Sequence, residues 1–174
     1  MNPHASHEEI APGVFRERMG LFLEDVEAGA TYEHRPGKTF TIEESMKHTL
    51  RALEQTPDLT DLSFHEHVDN DGTWTINSLH VLAVLTGMMT KTFSKVVANL
   101  AWQKVKFHEP VRDGDTVYAE STVLEKRGSK SRPGQGIIVV RTTARTHHGR
   151  LVCTFERSIL VYARGHGPYS AADY

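Results

Sequence analysis

The longest apolar stretch of the chain lies near its middle, from Ile76 to Met89. Its apolar residues fall on every face of a helix rather than in one stripe, which is typical of a helix enclosed by protein. Asn77 and Ser78 are small polar residues that can cap the start of a helix. The run is too short to span a bilayer. The pattern therefore predicts a central buried helix over about residues 77–90, which the rest of the chain must wrap.

After this helix the apolar residues no longer recur at helical spacing. They alternate with polar residues, which is typical of strands. Strand patterns occupy residues 96–107, 116–125, 136–146 and 151–161. In the first of them the apolar residues change phase, so a β-bulge is expected near Gln103. Turn residues separate the later strands, at 112–115 and 147–149. Because successive strands joined by short turns are antiparallel, the sequence predicts a four-stranded antiparallel meander.

The chain before the central helix is less regular. Thr41 and Glu44 have capping-box spacing, and apolar residues follow at helical intervals, so a helix is expected over residues 42–55. Residues 21–33 predict a short extended or irregular segment, and Pro36 with the glycine after it breaks the chain. Residues 58–72 are acidic and rich in turn formers, and we expect no regular structure there.

One buried helix and a meander of long strands favour a single architecture, because the sheet must curl around the helix to cover both. This architecture is the hot-dog fold, a single α+β domain. We assign residues 20–164 to it, with residues 1–19 as a flexible lead-in and residues 165–174 as a loose, Gly- and Pro-rich tail. No internal repeat or second domain is visible in the sequence.

Composition limits the partners and the cellular location expected for this domain. The chain has 174 residues, which suits one domain, and its 20 basic and 22 acidic side chains nearly balance. No global field therefore favours nucleic acid or an anionic membrane as a partner. The single cysteine, Cys153, lies among apolar residues and is expected to be a buried structural thiol. With no apolar signal segment in residues 1–12, these features predict a cytoplasmic protein.

The segment before the central helix concentrates the groups that acid–base chemistry needs. Asp58, Asp61, His65 and His67 lie within ten residues. A positioned His or carboxylate is the usual general base in enzymes, and His65 is the first candidate here. The alternative is a solvated acidic loop with incidental histidines.

A metal site is a weaker hypothesis for the same segment. His65 and His67 would share one face if they lay on a strand, and Asp69 or Asp71 could complete a ligand set. The chain offers no third ligand at a diagnostic spacing, so we expect no metal.

Several stretches of this sequence resemble the MaoC-type enoyl-thioester hydratases and dehydratases, and within them the mesaconyl-CoA hydratase branch. The similarity covers about residues 20–164. It is carried by residues 23–29 (LEDVEAG), 39–44 (TFTIEE), 76–78 (INS), 85–87 (LTG), 107–116 (FHEPVRDGDT) and 124–133 (LEKRGSKSRP).

This resemblance implies a homodimeric or larger hot-dog hydro-lyase that adds water to an enoyl thioester or removes it from a 3-hydroxyacyl thioester. The acyl group would be carried by coenzyme A or an acyl carrier protein, bound at the subunit interface, with no separate cofactor. An Asp and a His before the central helix would activate the water. A backbone N–H at the start of that helix, here near Asn77 and Ser78, would receive the enolate oxygen.

The active segment departs from the family's Asp-x-Asn-Pro-x-His pattern. Asp58 has Ser63 where the histidine belongs, and Asp61 has Glu66, with a histidine on either side of it. We therefore expect a rebuilt pair, in which His65 works with Asp58 or Asp61, and His67 is a further candidate.

Two other positions differ from the family. Ser78 replaces a small glycine and adds a hydroxyl near the oxyanion position. His80 occupies a usually aliphatic place on the central helix. It is either a buried neutral histidine satisfied by a backbone carbonyl or a second acid or base in the site.

A compact basic turn lies between the second and third strands of the meander. Its cations are Lys126, Arg127, Lys130 and Arg132. The thioester carriers of the resembling enzymes have phosphates, and arginine binds phosphate well, so these residues are candidates for carrier binding. The alternative is a solvated hairpin.

Two other functions remain open because the active segment is altered. One is a hot-dog thioesterase, or an enzyme that adds another nucleophile to the thioester. The other is a thioester-binding protein without catalysis.

Overall fold

The structure is a computed structural model that describes residues 4–68, 73–169 and 171–172. Its helices and strands follow the chain in this order: β1 (His7–Ala11), β2 (Val14–Glu17), β3 (Thr31–Thr39), α1 (Ile42–Arg51), α2 (Pro57–Thr60), α3 (Leu62–Val68), α4 (Ser78–Met88), β4 (Val96–Phe107), β5 (Thr116–Gly128), β6 (Gln135–Thr146) and β7 (Leu151–Tyr162).

The main sheet has five antiparallel strands in the order β3-β5-β6-β7-β4. The meander from β5 to β7 is as predicted. The prediction that β4 belongs to the same meander is wrong, because β4 pairs with β7 at the far edge. Alternating apolar residues show which side chains of a strand face the core. They do not specify which strands lie beside it. The predicted bulge in β4 is confirmed, since the register shifts between Gln103 and Lys106.

The other edge of the sheet is β3, which the sequence did not predict as a continuous strand. It runs through Pro36 and pairs with β5, with a register shift between His34 and Lys38. Proline lacks the N–H that a central strand would donate, but an edge strand tolerates this loss. The expected break at Pro36 is therefore an irregularity inside one strand.

Helix α4 is the predicted central helix, and Asn77 is its N-cap. Val81, Leu85 and Met89 are buried in one apolar core with residues of the sheet. The expectation that one chain encloses the helix on all sides is wrong, because Leu79 on the opposite face is 57% exposed. An apolar face left open in this way is typical of a surface that a second subunit covers.

Helix α1 begins as predicted, with the Thr41 hydroxyl accepting the N–H of Glu44 at 3.4 Å. It ends at Arg51 rather than at residue 55. The chain leaves helical geometry there, since Leu53 has a φ of 57°.

The segment predicted to be irregular instead forms two short helices, α2 and α3. Pro57 is at the start of α2, where its missing N–H is not needed. The carboxylate of Asp61 accepts the N–H of Phe64 at 3.2 Å and caps α3. Turn-forming residues are also good helix caps, so composition alone does not separate a loop from two short helices. Residues 69–72 lie outside the described part of the chain.

Both ends of the described chain contact the domain. Residues 7–17 form a two-stranded hairpin, which the sequence did not predict because its strands lack apolar alternation. Near the other end, the Tyr169 ring lies 3.7 Å from the ammonium group of Lys95. Cys153 is fully buried in the core, as predicted, and burial raises the pKa of its thiol to about 11.

Candidate active site

Asp58 and His65 form a hydrogen-bonded pair across the two short helices. Nδ1 of His65 lies 2.9 Å from Oδ1 of Asp58. A carboxylate accepts hydrogen bonds but has none to donate, so the proton is on Nδ1 and the lone pair of the neutral imidazole is on Nε2. Of the two pairings left open by the sequence, the structure therefore forms His65 with Asp58.

The free nitrogen of His65 is an exception among buried groups. His65 is 2% exposed, and its Nε2 has no hydrogen-bond partner among the described residues. A buried polar atom without a partner costs about 1–3 kcal/mol, so such an atom is a marker for a functional group. A basic nitrogen oriented by a carboxylate is the arrangement that a general base requires.

Trp74 fixes the imidazole from one side. The rings of His65 and Trp74 are stacked, with centroids 4.0 Å apart and planes 12° apart. The backbone of Trp74 is itself held, since its carbonyl accepts the N–H of Asp113 at 3.1 Å. Trp74 lies three residues before the cap of α4, so the pair is anchored on the approach to the central helix. Sequence reasoning did not identify this contact of Trp74 with His65.

Asp61 and His67 are not part of this pair. The Asp61 carboxylate is the cap of α3. His67 is exposed, and its Nδ1 lies 2.6 Å from the carbonyl of Ser63 one turn earlier. The geometry therefore does not support Asp61 or His67 as catalytic residues.

The premise of the metal hypothesis is also wrong. His65 and His67 lie on a helix rather than on a strand, and residues two apart on a helix point to different sides. His65 is accordingly buried while His67 is exposed. No group of three metal-ligating side chains occurs in the described ranges, and Asp69 and Asp71 lie outside them.

Asn77 connects the start of α4 to helix α1. Its side-chain oxygen accepts the N–H groups of Leu79 and His80, at 2.8 and 3.4 Å. Its amide nitrogen donates to the Thr49 hydroxyl at 2.9 Å and to the Glu54 carboxylate at 2.7 Å. This makes Asn77 a buried helix cap, as predicted.

The backbone N–H of Asn77 is also occupied, because it donates to the Ser45 hydroxyl at 2.9 Å. The expectation that this N–H receives an enolate oxygen is therefore wrong. Among the backbone N–H groups at the start of the helix, that of Ser78 has no acceptor among the residues that the structure describes.

Ser78 faces a cavity of about 220 Å³ at the N-terminus of α4. Ile76 and Val81 line it from the helix side, and Phe107 and the following loop line it from the sheet side. Most of its lining residues are apolar, which suits an acyl chain, and Ser78 is one of the polar residues at its wall. Neither His65 nor Asp58 lines this cavity.

His80 points toward α1 rather than into that cavity. Its ring is 5.7 Å from that of Phe40 and 4.9 Å from that of His48. Burial, and then the neighbouring His48, lower the pKa of His80. It is a neutral, half-buried histidine, as one reading of the sequence expected, but its buried Nε2 has no carbonyl partner in the described chain.

The basic turn divides into two parts. Lys126 is a structural residue, because its ammonium donates to the carbonyls of Glu24 and Val26 at 3.2 and 2.7 Å. Arg127 pairs with Glu125 at 3.2 Å. Lys130 and Arg132 are exposed at the tip of the β5–β6 hairpin. Of the predicted phosphate ligands, Lys130 and Arg132 are thus the two whose charges remain open to solvent.

Two buried basic residues of the sheet were missed at the level of sequence. His34 on β3 is 3% exposed, and Arg157 on β7 is 4% exposed. The signal for Arg157 was present, since Cys153, Phe155, Ile159 and Val161 alternate along β7 and the position between Phe155 and Ile159 on that face is an arginine. No comparable signal marks His34.

In the described ranges, no helix is long and apolar enough to span a membrane.

A family model described as mesaconyl-CoA hydratase matches residues 9–168, which is nearly the whole chain. A search of curated proteins by sequence gives no significant match.

Solved structures with the same fold include MaoC-like proteins and hydratases. The monoamine oxidase regulatory protein from Archaeoglobus fulgius aligns with a TM-score of 0.72 at 24% identity, over 84% of this chain and 97% of that one. The R-hydratase from Pseudomonas aeruginosa aligns with a TM-score of 0.68 at 16% identity, over 84% and 88%. A double-hot-dog protein from Mycobacterium tuberculosis aligns with a TM-score of 0.68 at 24% identity, over 85% of this chain and 46% of that one. At these identities the likeness shows the fold, and the predicted hot-dog architecture is confirmed.

Proposed function

Since the chain belongs to the mesaconyl-CoA hydratase family, it is a hydro-lyase of acyl thioesters, and we propose that His65 with Asp58 carries its reaction. The observation that supports this assignment is the buried His65 imidazole, whose Nδ1 is bound by a carboxylate 2.9 Å away. Its Nε2 lacks a partner in the described chain.

In the hydration direction, Nε2 of His65 takes a proton from water as the oxygen bonds to the β-carbon of the enoyl thioester. Asp58 stabilises the imidazolium that forms. The electron pair of the double bond moves onto the thioester oxygen. When it returns, the α-carbon takes the proton from the His65 imidazolium, which restores the neutral imidazole. Dehydration is the reverse sequence. A positioned general base of this kind contributes about 10² to 10⁴ in rate.

The enolate oxygen needs a donor that is fixed before the reaction. We assign this role to the N–H of Ser78, because its neighbours Asn77, Leu79 and His80 all have acceptors. The positive end of the helix dipole adds to its effect. One well-placed donor of this kind is worth about 3 kcal/mol of transition-state stabilisation. The bound thioester must therefore extend from the Ser78 cavity to His65.

We further propose that the active unit is a homodimer joined through β4. This strand is at the edge of the sheet, so no strand of the described residues pairs with its outer side, and it has exposed apolar residues, among them Leu100 at 49% and Trp102 at 42%. Isolated apolar edge strands promote association, and a second copy would cover this one. Light scattering after size-exclusion chromatography should give a mass of twice 19.5 kDa.

The direct test is to incubate the protein with crotonyl-CoA and mesaconyl-CoA and to follow the loss of enoyl absorbance. We expect hydration of at least one of them. A thiol reagent in a parallel reaction detects free coenzyme A, which a thioesterase releases and a hydratase does not. Loss of absorbance without thiol release supports the proposal. Thiol release, or no change with any enoyl thioester, contradicts it.

A further inference from the structure

Glu54 is a half-buried carboxylate that joins the two halves of the candidate site. One of its oxygens, Oε2, accepts a side-chain N–H of Asn77 at 2.7 Å. The other oxygen, Oε1, accepts the hydroxyl of Thr56 at 3.0 Å. Asn77 is the N-cap of α4, and Thr56 is the N-cap of α2. A single side chain therefore connects the starts of two helices.

These two helices bring together the groups that the proposed reaction needs. Helix α4 begins with Ser78, whose N–H is the assigned donor to the enolate oxygen. Helix α2 includes Asp58, which binds His65 at 2.9 Å. Both the donor and the base must contact the same acyl chain, so the rate depends on how they are placed relative to each other. A contact that spans the two helices fixes that placement.

The hydroxyl of Thr56 is not used in the way that its position favours. A threonine at an N-cap normally accepts a backbone N–H of the first helical turn. At α2 no side-chain cap of this kind forms, and the hydroxyl donates to Glu54 instead. Helix α2 has four residues and is too short to be stable by itself. Its position therefore depends on contacts such as this one.

The backbone beside Glu54 is strained in the conformation that brings its carboxylate to Asn77. Leu53 has a φ of 57°, in the left-handed region that favours glycine. Its side chain is 83% exposed, so burial does not offset the strain. The turn at Leu53 directs the N–H of Glu54 to the carbonyl of Thr49 at 3.1 Å. Strained conformations persist where the surrounding contacts hold them, and they are common at functional sites.

We infer that Glu54 is a positioning residue for the reaction, an inference that rests on the proposed function. It holds the general-base pair of α2 and α3 in place relative to the start of α4. A carboxylate suits this role because both of its oxygens accept hydrogen bonds, and here each oxygen meets a donor from a different helix. Its negative charge near the N-terminus of α4 also stabilises that helix, so a test must separate the two effects.

Two substitutions break this bridge from opposite sides. Glu54→Gln keeps the size of the side chain but has one acceptor oxygen, so it cannot accept from both donors. Thr56→Val keeps the shape of the side chain and removes its hydroxyl, which leaves the carboxylate charge in place. We expect both variants to lower kcat and kcat/KM alike, by about 10- to 100-fold, because a misplaced group acts less well in the transition state.

Two controls accompany these variants. Thr56→Ser retains the hydroxyl and should have the kcat of the wild-type protein. Glu43→Gln removes a carboxylate from α1 that forms an exposed ion pair with Lys47, and it should leave kcat unchanged. Initial-rate kinetics with the best enoyl thioester compare all four variants.

A charge effect and a general loss of stability predict different results. If only the charge of Glu54 mattered, Glu54→Gln would change kcat and Thr56→Val would not. If stability mattered, Thr56→Val would lower the rate by the same factor in the wild-type protein and in His65→Gln. Positioning of the base predicts no further loss in His65→Gln, because the positioned group is already absent. Either of the first two results would overturn the inference.

Amide hydrogen exchange measured by mass spectrometry tests the bridge without turnover. In Thr56→Val we expect peptides that cover α2 and α3 to exchange about fivefold faster, because one hydrogen bond that holds these helices is lost. Exchange in β6 should not change. Equal exchange of α2 and α3 in the variant and the wild-type protein would overturn the inference and leave the proposed function intact. A wild-type protein that hydrates no enoyl thioester would overturn the proposed function and, with it, the role of Glu54.

Discussion

The two ends of the central helix each have a buried histidine nearby, and the two are held in opposite ways. Beyond the C-terminal end, Nε2 of His34 lies 2.9 Å from the Ser121 hydroxyl, which in turn lies 2.9 Å from that of Thr142. Nδ1 of His34 is 3.5 Å from the Thr92 hydroxyl. Before the N-terminal end, His65 has one nitrogen bound to Asp58 and the other without a partner in the described chain.

This difference separates a structural histidine from a reactive one. Burial, together with the positive charges of Arg157 and Arg35, lowers the pKa of His34 to about 4, so it stays neutral at physiological pH. Neutral and bonded on both nitrogens, it has no free site for a substrate proton. His65 has a carboxylate to stabilise its charged form and a free nitrogen to accept the proton.

The largest expected effect is on catalysis at His65. We expect His65→Gln to lower kcat/KM for hydration by about 10⁴, because it removes the general base. The measurement is initial-rate kinetics with the best enoyl thioester. His67→Gln is the matched control on the same helix and should leave the rate within about a factor of two. Comparable losses in both variants would show that α3 matters as a whole and that His65 has no special role.

The next effect is on stability at His34, and it depends on pH. His34 has a pKa of about 4 in the folded protein and 6.5 as the ordinary value of an unfolded chain. Below pH 6.5 the unfolded state therefore binds a proton that the folded state does not. The free energy of unfolding should fall by on the order of 3 kcal/mol between pH 6.5 and pH 4. Urea unfolding at a series of pH values measures this change.

His34→Gln can keep the bond to Ser121 but has no proton to bind, so its stability should lose that part of the pH dependence. Its kcat at neutral pH should match that of the wild-type protein. An unchanged pH profile in the variant would show that His34 does not control acid stability.

A smaller effect is expected at Asp58. Asp58→Asn should lower kcat by about 10², because the amide stabilises the imidazolium less well than the carboxylate does. Asp61→Asn is the control, since asparagine caps a helix as well as aspartate does. Steady-state kinetics of the two variants compare them directly. If Asp61→Asn has the larger effect, the assignment of the pair is wrong.

The sequence predicted the parts of the fold that local patterns specify. The alternation in β5, β6 and β7, the cap pair Thr41 and Glu44, and the asparagine cap of α4 all follow from neighbouring residues. The position of β4 at the far edge depends on which strands pair across the sheet, and no local pattern encodes that choice. The passage of β3 through Pro36 is acceptable only because β3 is an edge strand.

The candidate site was less predictable than the fold. The residue types were right, but the partner of His65 depended on how two short helices fold against each other. The Asn77 N–H donates to the hydroxyl of Ser45, which lies 32 positions away in the chain, and no motif reveals this contact. In β7, Arg157 interrupts the alternation of apolar residues along one face, and this exception was visible in the sequence. Such a local exception calls for a functional test.

A crystal structure of the protein with bound butyryl-CoA would test the central claim most directly. We predict a thioester oxygen within about 3 Å of the Ser78 N–H, and the β-carbon of the acyl chain beside Nε2 of His65 with room for one water between them. An acyl chain bound away from His65, with Nε2 still buried and without a partner, would contradict the assignment of His65 and Asp58.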